Sequence, residues 1–213
     1  MFHFHRFVKS GILKDSYKDC LILYFKKNRI RKLKFNMLDA SFIKNEHGLR
    51  SDKVGRNRYF SNKNSTKISN LVDSNGIVLS SVIFPGNRND SIFAKDTISS
   101  ILIDIFPKKH QNHNRCKQYL LADGAYYSND IINSCKLLGY HTLIPQNKHV
   151  KDPKKIITWN KYEKSTYSKR IKVENHFCWI KKNRRLKNRY ERYSENFGGF
   201  LYLAYLKLIS KYL

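Results

Sequence analysis

Three acidic residues lie where solvation alone does not explain a carboxylate. Asp39 sits in the middle of the apolar run LKFNMLDASFI (33–43), and Asp123 ends the apolar run QYLLAD. Glu174 is the only acidic residue in the basic segment YSKRIKVENHFCWIK. A buried carboxylate costs several kcal/mol unless it is paired, protonated or bound to a cation. The positions of these three residues therefore predict a cation-binding centre.

The chemistry of this centre follows from its donors. Carboxylates that face one another need a cation to hold them at close range. A site built only from oxygen ligands favours Mg²⁺ or Mn²⁺ over zinc. Simpler interpretations stay open at this point. Asp123 precedes Gly124 and could cap a turn, while Glu174 could pair with Arg170 on a solvated helix for a few tenths of a kcal/mol.

The spacing around Glu174 predicts a single functional stripe on one long helix, expected over residues 166–189. At 100° per residue, four side chains fall within an arc of about 60°: Tyr167, Arg170, Glu174 and Lys181. A neighbouring stripe of apolar side chains should face the sheet: Val173, Phe177 and Ile180. Glu174 is therefore expected at the edge of the buried face, flanked by two cations.

The net charge points to a polyanionic partner. The chain has 213 residues, with 42 Lys and Arg against 16 Asp and Glu and a formal net charge of +26. A folded chain this basic attracts polyanions, of which nucleic acid is the commonest, although a Lys- and Asn-rich proteome would give the same balance. Hydrophobic residues make up 41% of the chain, which is enough for a folded domain of ordinary size.

Cysteine usage and hydropathy bear on compartment. Four scattered cysteines without a CxxC pair indicate reduced thiols in an intracellular protein: Cys20, Cys116, Cys135 and Cys178. His110, His113 and Cys116 form an HxxHxxC cluster, but it lacks a second ligand pair, which disfavours a zinc site.

No apolar run reaches the roughly 18 residues of a membrane span. FLYLAYL (200–206) is expected to be part of a core helix, and the N-terminus lacks signal-peptide features.

The elements that must position the carboxylates form an α/β pattern. Strands are expected at 33–43, 67–73, 77–84, 118–123 and 141–145, with a short edge strand near 56–60. Helices are expected at 91–106, capped by Asp90, at 128–138, starting at Ser128, at 166–189 and at 195–211. This order is that of a ribonuclease H-like mixed sheet flanked by helices. Its first and fourth main strands lie side by side, so Asp39 and Asp123 should face one another.

These residues resemble a known family. The pattern Tyr-x2-Arg-x3-Glu-x6-Lys, present as Tyr167, Arg170, Glu174 and Lys181, is similar to the C-terminal signature of DDE transposases from bacterial insertion sequences. The resemblance continues in LDAS (38–41), TKISNLVDSNG (66–76), PGNRND (85–90), LADGAYYS (121–128) and FCWIKKNRRLKNRYE (177–191). In spacing and order it is closest to the insertion-sequence-5/4-like branch. It spans about residues 33–210.

The resemblance implies a catalytic triad of Asp39, Asp123 and Glu174 that holds two divalent ions, Mg²⁺ or Mn²⁺. Such a site hydrolyses and transesterifies phosphodiesters at transposon ends. The implied partner is double-stranded DNA, as transposon end and as target, bound by a homodimer, with no membrane. The implied location is inside the cell with the DNA, in the nucleoid or a nucleus. The resemblance and the basic run imply DNA contacts by Tyr167, Arg170, Lys181, Lys182, Arg184 and Arg185.

The sequence also departs from the family pattern. Members usually carry a helical DNA-binding region before the first catalytic strand, whereas residues 1–32 are short and contain little apparent core material. They are interpreted as an N-terminal remnant or linker, with residues 33–213 as the catalytic domain. Ser69 and Asn89 stand where the family often has His. Two alternatives therefore remain beside an active transposase: an inactive DNA-binding remnant, and a structure-selective nuclease on the same fold.

Overall fold

Apolar and β-branched runs form a seven-stranded mixed sheet in the computed structural model, which describes residues 2–30, 33–47, 51–58, 61–103, 118–146 and 158–213. The strands are β1 (Phe35–Asn45), β2 (Gly55–Asn57), β3 (Lys63–Asp73), β4 (Val78–Pro85), β5 (Gln118–Leu121), β6 (Tyr140–Leu143) and β7 (Asn188–Arg189). The expected strands are therefore present, with the predicted edge strand near 56–60 found as β2. The HxxHxxC cluster of His110, His113 and Cys116, at which a zinc site was disfavoured, lies outside the described residues.

The strand order confirms the predicted ribonuclease H-like arrangement. The sheet runs β2–β3–β1–β5–β6, with β4 paired to β3 and β7 paired to β1. β1 is antiparallel to β3 and parallel to β5, and β6 is parallel to β5. The first and fourth main strands, β1 and β5, are thus neighbours at the centre of the sheet, as expected.

The hairpin between β3 and β4 forms at the predicted Asn-Gly pair. Gly76 has a φ of 80°, a left-handed conformation that glycine adopts at little cost. The Asp73 carboxylate accepts hydrogen bonds from the backbone N–H groups of Asn75 and Ile77, each at 2.9 Å. It also accepts one from the Tyr24 hydroxyl at 2.7 Å. Side-chain bonds therefore hold the turn to the sheet and to the N-terminal part of the chain.

The described helices are α1 (Phe2–Lys9), α2 (Ile12–Lys27), α3 (Ala94–Ser99), α4 (Asn129–Leu137), α5 (Lys161–Tyr167), α6 (Ile171–Ile180), α7 (Arg184–Lys187) and α8 (Ser194–Ile209). The start of α4 is as predicted, because the Ser128 hydroxyl accepts a hydrogen bond from the Ile131 N–H at 3.2 Å. Gly139 closes the same helix with a φ of 81°. α8 contains the FLYLAYL segment and buries Leu201, Ala204 and Tyr205, which confirms it as a core helix.

The helix predicted over 91–106 is shorter than expected and has a different cap. A 3₁₀ turn, Asp90–Phe93, leads into α3, which ends at Ser99. Residues 104–106 lie outside the described residues. The cap is Asn89, whose side chain accepts a hydrogen bond from the Ser91 N–H. The prediction of Asp90 as the cap was wrong because its carboxylate is held by the Lys67 ammonium at 2.7 Å.

The single helix predicted over 166–189 was also wrong. α5 is joined to α6 by a 3₁₀ turn, Ser168–Arg170, and α6 ends at Ile180 before the short α7. The chain then turns into β7, where Asn188 and Arg189 pair with the end of β1. This long-range strand pairing begins directly after α7, which ends at Lys187.

The N-terminal segment contributes to the core. Tyr17, Leu21, Tyr24 and Phe25 of α2 are buried, and the ring of Tyr17 lies 5.6 Å from that of Tyr205 in α8. The expectation that residues 1–32 carry little core material was therefore wrong. It overlooked tyrosines that bury their rings and bond their hydroxyls. The division into residues 1–32 and 33–213 stays a prediction.

Two observations concern membrane spans and cysteines. Within the described ranges, none of the helices is both long and apolar enough to cross a membrane. Three of the four cysteines lie in the described part of the chain and are free thiols: Cys20, Cys135 and Cys178.

Candidate active site

Asp39 has the environment expected of a functional carboxylate. It lies within β1, and its side chain is only 18% exposed. Burial raises the pKa of Asp39 to about 6, against the lowering effects of the Ala40 N–H and the Arg170 guanidinium. The negative charge of Asp123 raises the same pKa further. Removal from water dominates because neither partner fully replaces the lost hydration.

The register of the central strands aligns Asp39 with Asp123. Parallel pairing joins Phe35 to Tyr119 and Met37 to Leu121, and two further residues along each chain lead to Asp39 and Asp123. Asp123 also caps the 3₁₀ turn Gly124–Tyr126, because its Oδ1 accepts a hydrogen bond from the Ala125 N–H at 2.9 Å. The capping interpretation and the proximity to Asp39 are therefore both correct for this residue.

Glu174 and Asp39 both contact the guanidinium of Arg170. α6 buries Val173, Phe177 and Ile180, as predicted, which leaves Glu174 at the edge of that face. The Arg170 guanidinium donates to Glu174 Oε1 at 2.5 Å and lies 3.5 Å from Asp39 Oδ2. The i,i+4 pair is thus present, but it is one half of a bridge between two carboxylates on different elements.

The donor set fits a divalent cation in kind. All three acidic side chains offer only oxygen ligands, which suit Mg²⁺ or Mn²⁺. The Arg170 guanidinium lies between the Asp39 and Glu174 carboxylates. The space between these two side chains therefore favours a positive charge. In the described part of the chain, no three His, Cys, Asp or Glu side chains stand together in a metal-binding group. The metal-ligand roles of the three carboxylates therefore stay a prediction.

Lys181 and Tyr167 lie near these carboxylates. The Lys181 ammonium donates to the Ser41 hydroxyl at 2.6 Å, and burial lowers the pKa of Lys181. Ser41 lies two residues beyond Asp39 on β1. Burial raises the pKa of the half-buried Tyr167, and the charges of Arg170, Asp123 and Asp39 also act on it.

The remaining predicted DNA contacts do not continue along the same helix. Lys182 lies in the turn after α6, and Arg184 opens α7; both side chains are exposed. Arg185 instead forms an ion pair with the buried Glu191 at 2.8 Å. Lys182 and Arg184 are therefore exposed cations, whereas Arg185 is engaged in an intramolecular ion pair.

Tyr126 is a residue of the site that the sequence analysis did not identify. It is 1% exposed, and its hydroxyl finds no hydrogen-bond partner in the described part of the chain. Burial raises the pKa of Tyr126, and so do the charges of Asp39, Asp90 and Asp123. The signal was available in the motif LADGAYYS, where Tyr126 follows Asp123 by three residues.

The family of the chain is decided by its sequence. Residues 31–206 match the family described as the transposase DDE domain, which is well over half of the chain. This chain belongs to that family. No curated protein compared with the sequence matches it.

Structural comparison of this DDE domain finds weak likenesses. The catalytic domain of Mos1 mariner transposase is 13% identical, with 92% of each chain covered and a TM-score of 0.34. The Mos1 paired-end complex with Mn is 12% identical, with a TM-score of 0.33 and coverage of 92% of this chain and 61% of that one. A pre-cleavage Mos1 transpososome is 13% identical, with the same coverages and a TM-score of 0.35. The family assignment rests on the sequence match.

Proposed function

We propose that this chain is a metal-dependent DNA strand-transfer enzyme that cuts and rejoins transposon ends. The observation that carries the proposal is the bridge from Glu174 through Arg170 to Asp39, next to Asp123, in a chain of the transposase DDE domain family. The family membership gives the reaction class, and the bridge supports these carboxylates as the centre. The insertion-sequence-5/4-like branch and its Tyr-Arg-Glu-Lys signature are part of this proposal.

Asp39, Asp123 and Glu174 are the proposed ligands of two divalent ions, Mg²⁺ or Mn²⁺. When bound, such ions activate the attacking hydroxyl and stabilise the leaving oxygen. The protein's own contribution is positioning and charge neutralisation, because phosphoryl transfer asks little covalent chemistry of it.

The surrounding cations are proposed to hold the DNA. Lys181, half-buried beside Ser41, is suited to a phosphate near the reacting bond, and Tyr167 to stacking on a displaced base. Lys182 and Arg184 are exposed and free to meet phosphates further along the duplex. Arg185 would need to leave Glu191 to do the same. Arg170 is proposed to move from the carboxylates to DNA when the ions bind. A homodimer on paired ends, with the DNA inside the cell, completes the proposal.

Cleavage and joining of defined DNA distinguish this function from its two alternatives. With Mn²⁺, we expect the protein to nick a duplex that carries its element's terminal repeat and to join the 3′ end to a second duplex. A duplex of scrambled end sequence is the control. Cutting of both duplexes alike, without joining, would favour a structure-selective nuclease. Binding without either reaction would favour an inactive remnant. In each of those two cases the strand-transfer proposal fails.

A further inference from the structure

A basic groove lies beside the proposed active site. Its lining includes neither the three carboxylates nor the proposed DNA contacts. Its volume is about 850 Å³, and its cationic lining comes from Arg56, Arg58, Lys67 and Arg88. Asp90 is the acidic residue in the lining, so four cations face one carboxylate. This balance favours an anionic ligand.

One of the four cations of the groove has a structural role, and the other three can contact a ligand. Lys67 ties the wall together, since its ammonium donates to the Arg88 carbonyl at 3.0 Å and to the Asp90 carboxylate. Arg56, Arg58 and Arg88 are exposed and form no ion pair within the described ranges. Three guanidinium groups are therefore available to a ligand.

The groove also offers side-chain amides. Asn62 and Asn87 line it together with the arginines, and amides form paired hydrogen bonds with base edges as guanidinium groups do with phosphates. Gly55 lets β2 approach the opposite wall, because a Cβ there would lie 2.1 Å from Asn87 Oδ1. The close approach of the two walls keeps amides and arginines within one groove.

The inner end of the groove lies at the carboxylates. Asp90 and Ala125 belong to the lining; the charge of Asp90 raises the pKa of Asp39, and the Ala125 N–H bonds to Asp123. A strand with a phosphate at Asp39 and Asp123 would thus continue into the groove. A volume of this size is that of a small-ligand site, about 300–1,000 Å³, and admits a few nucleotides rather than a duplex.

We propose that the groove binds a short unpaired segment of the DNA strand that is cut at Asp39, Asp123 and Glu174. The inference rests on the proposed function and adds a second contact region, formed by β2, the start of β3 and the loop after β4. Arg56, Arg58 and Arg88 hold the phosphates of this segment, and the asparagines contact its bases.

Binding of tailed and blunt DNA tests the inference. The probes are one duplex with blunt ends and the same duplex with a single-stranded tail of a few nucleotides. Wild type is expected to bind the tailed duplex about tenfold more tightly. The variant R56Q/R58Q/R88Q should lose this preference and keep most of its affinity for the blunt duplex. Loss of three phosphate contacts on a single strand should reduce the salt slope for the tailed duplex by about 2.

The matched control removes the same charge elsewhere. K9Q/K14Q/K26Q alters three exposed lysines of α1 and α2 and should keep the preference for the tailed duplex. Equal preference in wild type and R56Q/R58Q/R88Q would overturn the inference. So would equal losses for both DNAs in the two triple variants, since the arginines would then add only general charge. If thermal unfolding shows that the glutamine variant is unstable, R56K/R58K/R88K replaces it, and the lysines should retain blunt-duplex affinity but lose part of the preference.

The same experiment separates the inference from the proposed function. Wild-type protein that cleaves no DNA with Mn²⁺, but whose preference for the tailed duplex is lost in R56Q/R58Q/R88Q, would contradict the function and support the groove. Wild-type protein that cleaves and joins DNA, with an arginine variant that binds both duplexes like wild type, would contradict the groove alone.

Discussion

Replacement of Asp39 by asparagine is expected to lower metal-dependent DNA cleavage by about 10³-fold, or about 4 kcal/mol of transition-state stabilisation. The substitution keeps the size of the side chain and an oxygen for the Ala40 N–H, but it removes the charge that a divalent ion requires. Cleavage of labelled DNA with Mn²⁺ measures the effect. Asp15→Asn on the exposed side of α2 is the control and should cleave like wild type.

The same substitution is expected to stabilise the protein at neutral pH in the absence of metal. Burial raises the pKa of Asp39 from its ordinary 3.8 to about 6. Between about pH 4 and pH 6 the native state therefore keeps a proton that the unfolded state has released, so stability falls as the pH rises through this window. The resulting cost at pH 7 is about 3 kcal/mol, and Asp39→Asn should recover much of it.

A buried histidine, His176, contributes to the stability of the protein with the opposite pH dependence. His176 is 3% exposed and lies 2.9 Å from the Asn70 amide nitrogen, and burial lowers its pKa from 6.5 to about 4. Its contribution to stability therefore rises as the pH rises from about 4 to 6.5. In wild type the two contributions oppose one another. Asp39→Asn removes the falling contribution, so the contribution of His176, which rises with pH, should be the one that remains of these two.

Urea unfolding between pH 4.5 and pH 7.5 measures this change. The free energy of unfolding of Asp39→Asn should exceed that of wild type by a margin that grows with pH up to about pH 6.5. Asp15→Asn should follow the wild-type profile. An Asp39→Asn variant that is less stable than wild type across the range would show that the carboxylate is needed for folding, and the functional explanation of its burial would lose its basis.

Replacement of Arg189 by alanine is expected to cost about 3–5 kcal/mol of folding stability. Its side chain is fully buried and donates hydrogen bonds to the Asp52 carboxylate at 2.7 Å and to the Thr66 hydroxyl at 2.8 Å. It also donates to the carbonyls of Asp52, Glu191 and Arg192. Removing the guanidinium takes this donor from the buried Thr66 hydroxyl and the carbonyl of the buried Glu191, which is costlier than the loss of the bonds themselves, and leaves a void where a fully buried side chain packed.

The position of Arg189 explains why this effect should reach the active site. Arg189 belongs to β7, which pairs with the end of the strand that carries Asp39. Thermal unfolding should show a midpoint lower by about 10 °C. Lys187→Met, an exposed cation in the same segment, is the control and should change the midpoint little. A midpoint unchanged by Arg189→Ala would mean that the buried network contributes no net stability.

The parts of the fold that local chemistry determines could be predicted from the sequence. Apolar runs gave the strands, the Asn-Gly pair gave the hairpin, and Ser128 gave the start of α4. The errors share a physical cause, which is a contact with a residue distant in sequence. Asn188 and Arg189, predicted to be helical, pair as β7 with β1, and Lys67 takes the Asp90 carboxylate away from the helix cap.

The candidate site shows the same limit. The carboxylates could be identified because an acid in an apolar strand or a basic helix needs an explanation. Their arrangement needed the three-dimensional structure, since helical angles relate Arg170 to Glu174 but not to Asp39. The groove was missed for this reason, whereas Tyr126 could have been found from its place in the motif LADGAYYS. The groove joins residues 56–58 and Asn62 to residues 86–90, and neither segment carries a motif that indicates the other.

The central claim is that Asp39, Asp123 and Glu174 act as one metal centre. Electron paramagnetic resonance of Mn²⁺, titrated into the protein with duplex DNA, measures this directly. Wild type and Asp15→Asn should bind Mn²⁺ alike, while Asp39→Asn, Asp123→Asn and Glu174→Gln should each bind at least about tenfold more weakly, a loss of about 1.4 kcal/mol. Mn²⁺ affinity unchanged by all three substitutions would contradict the claim.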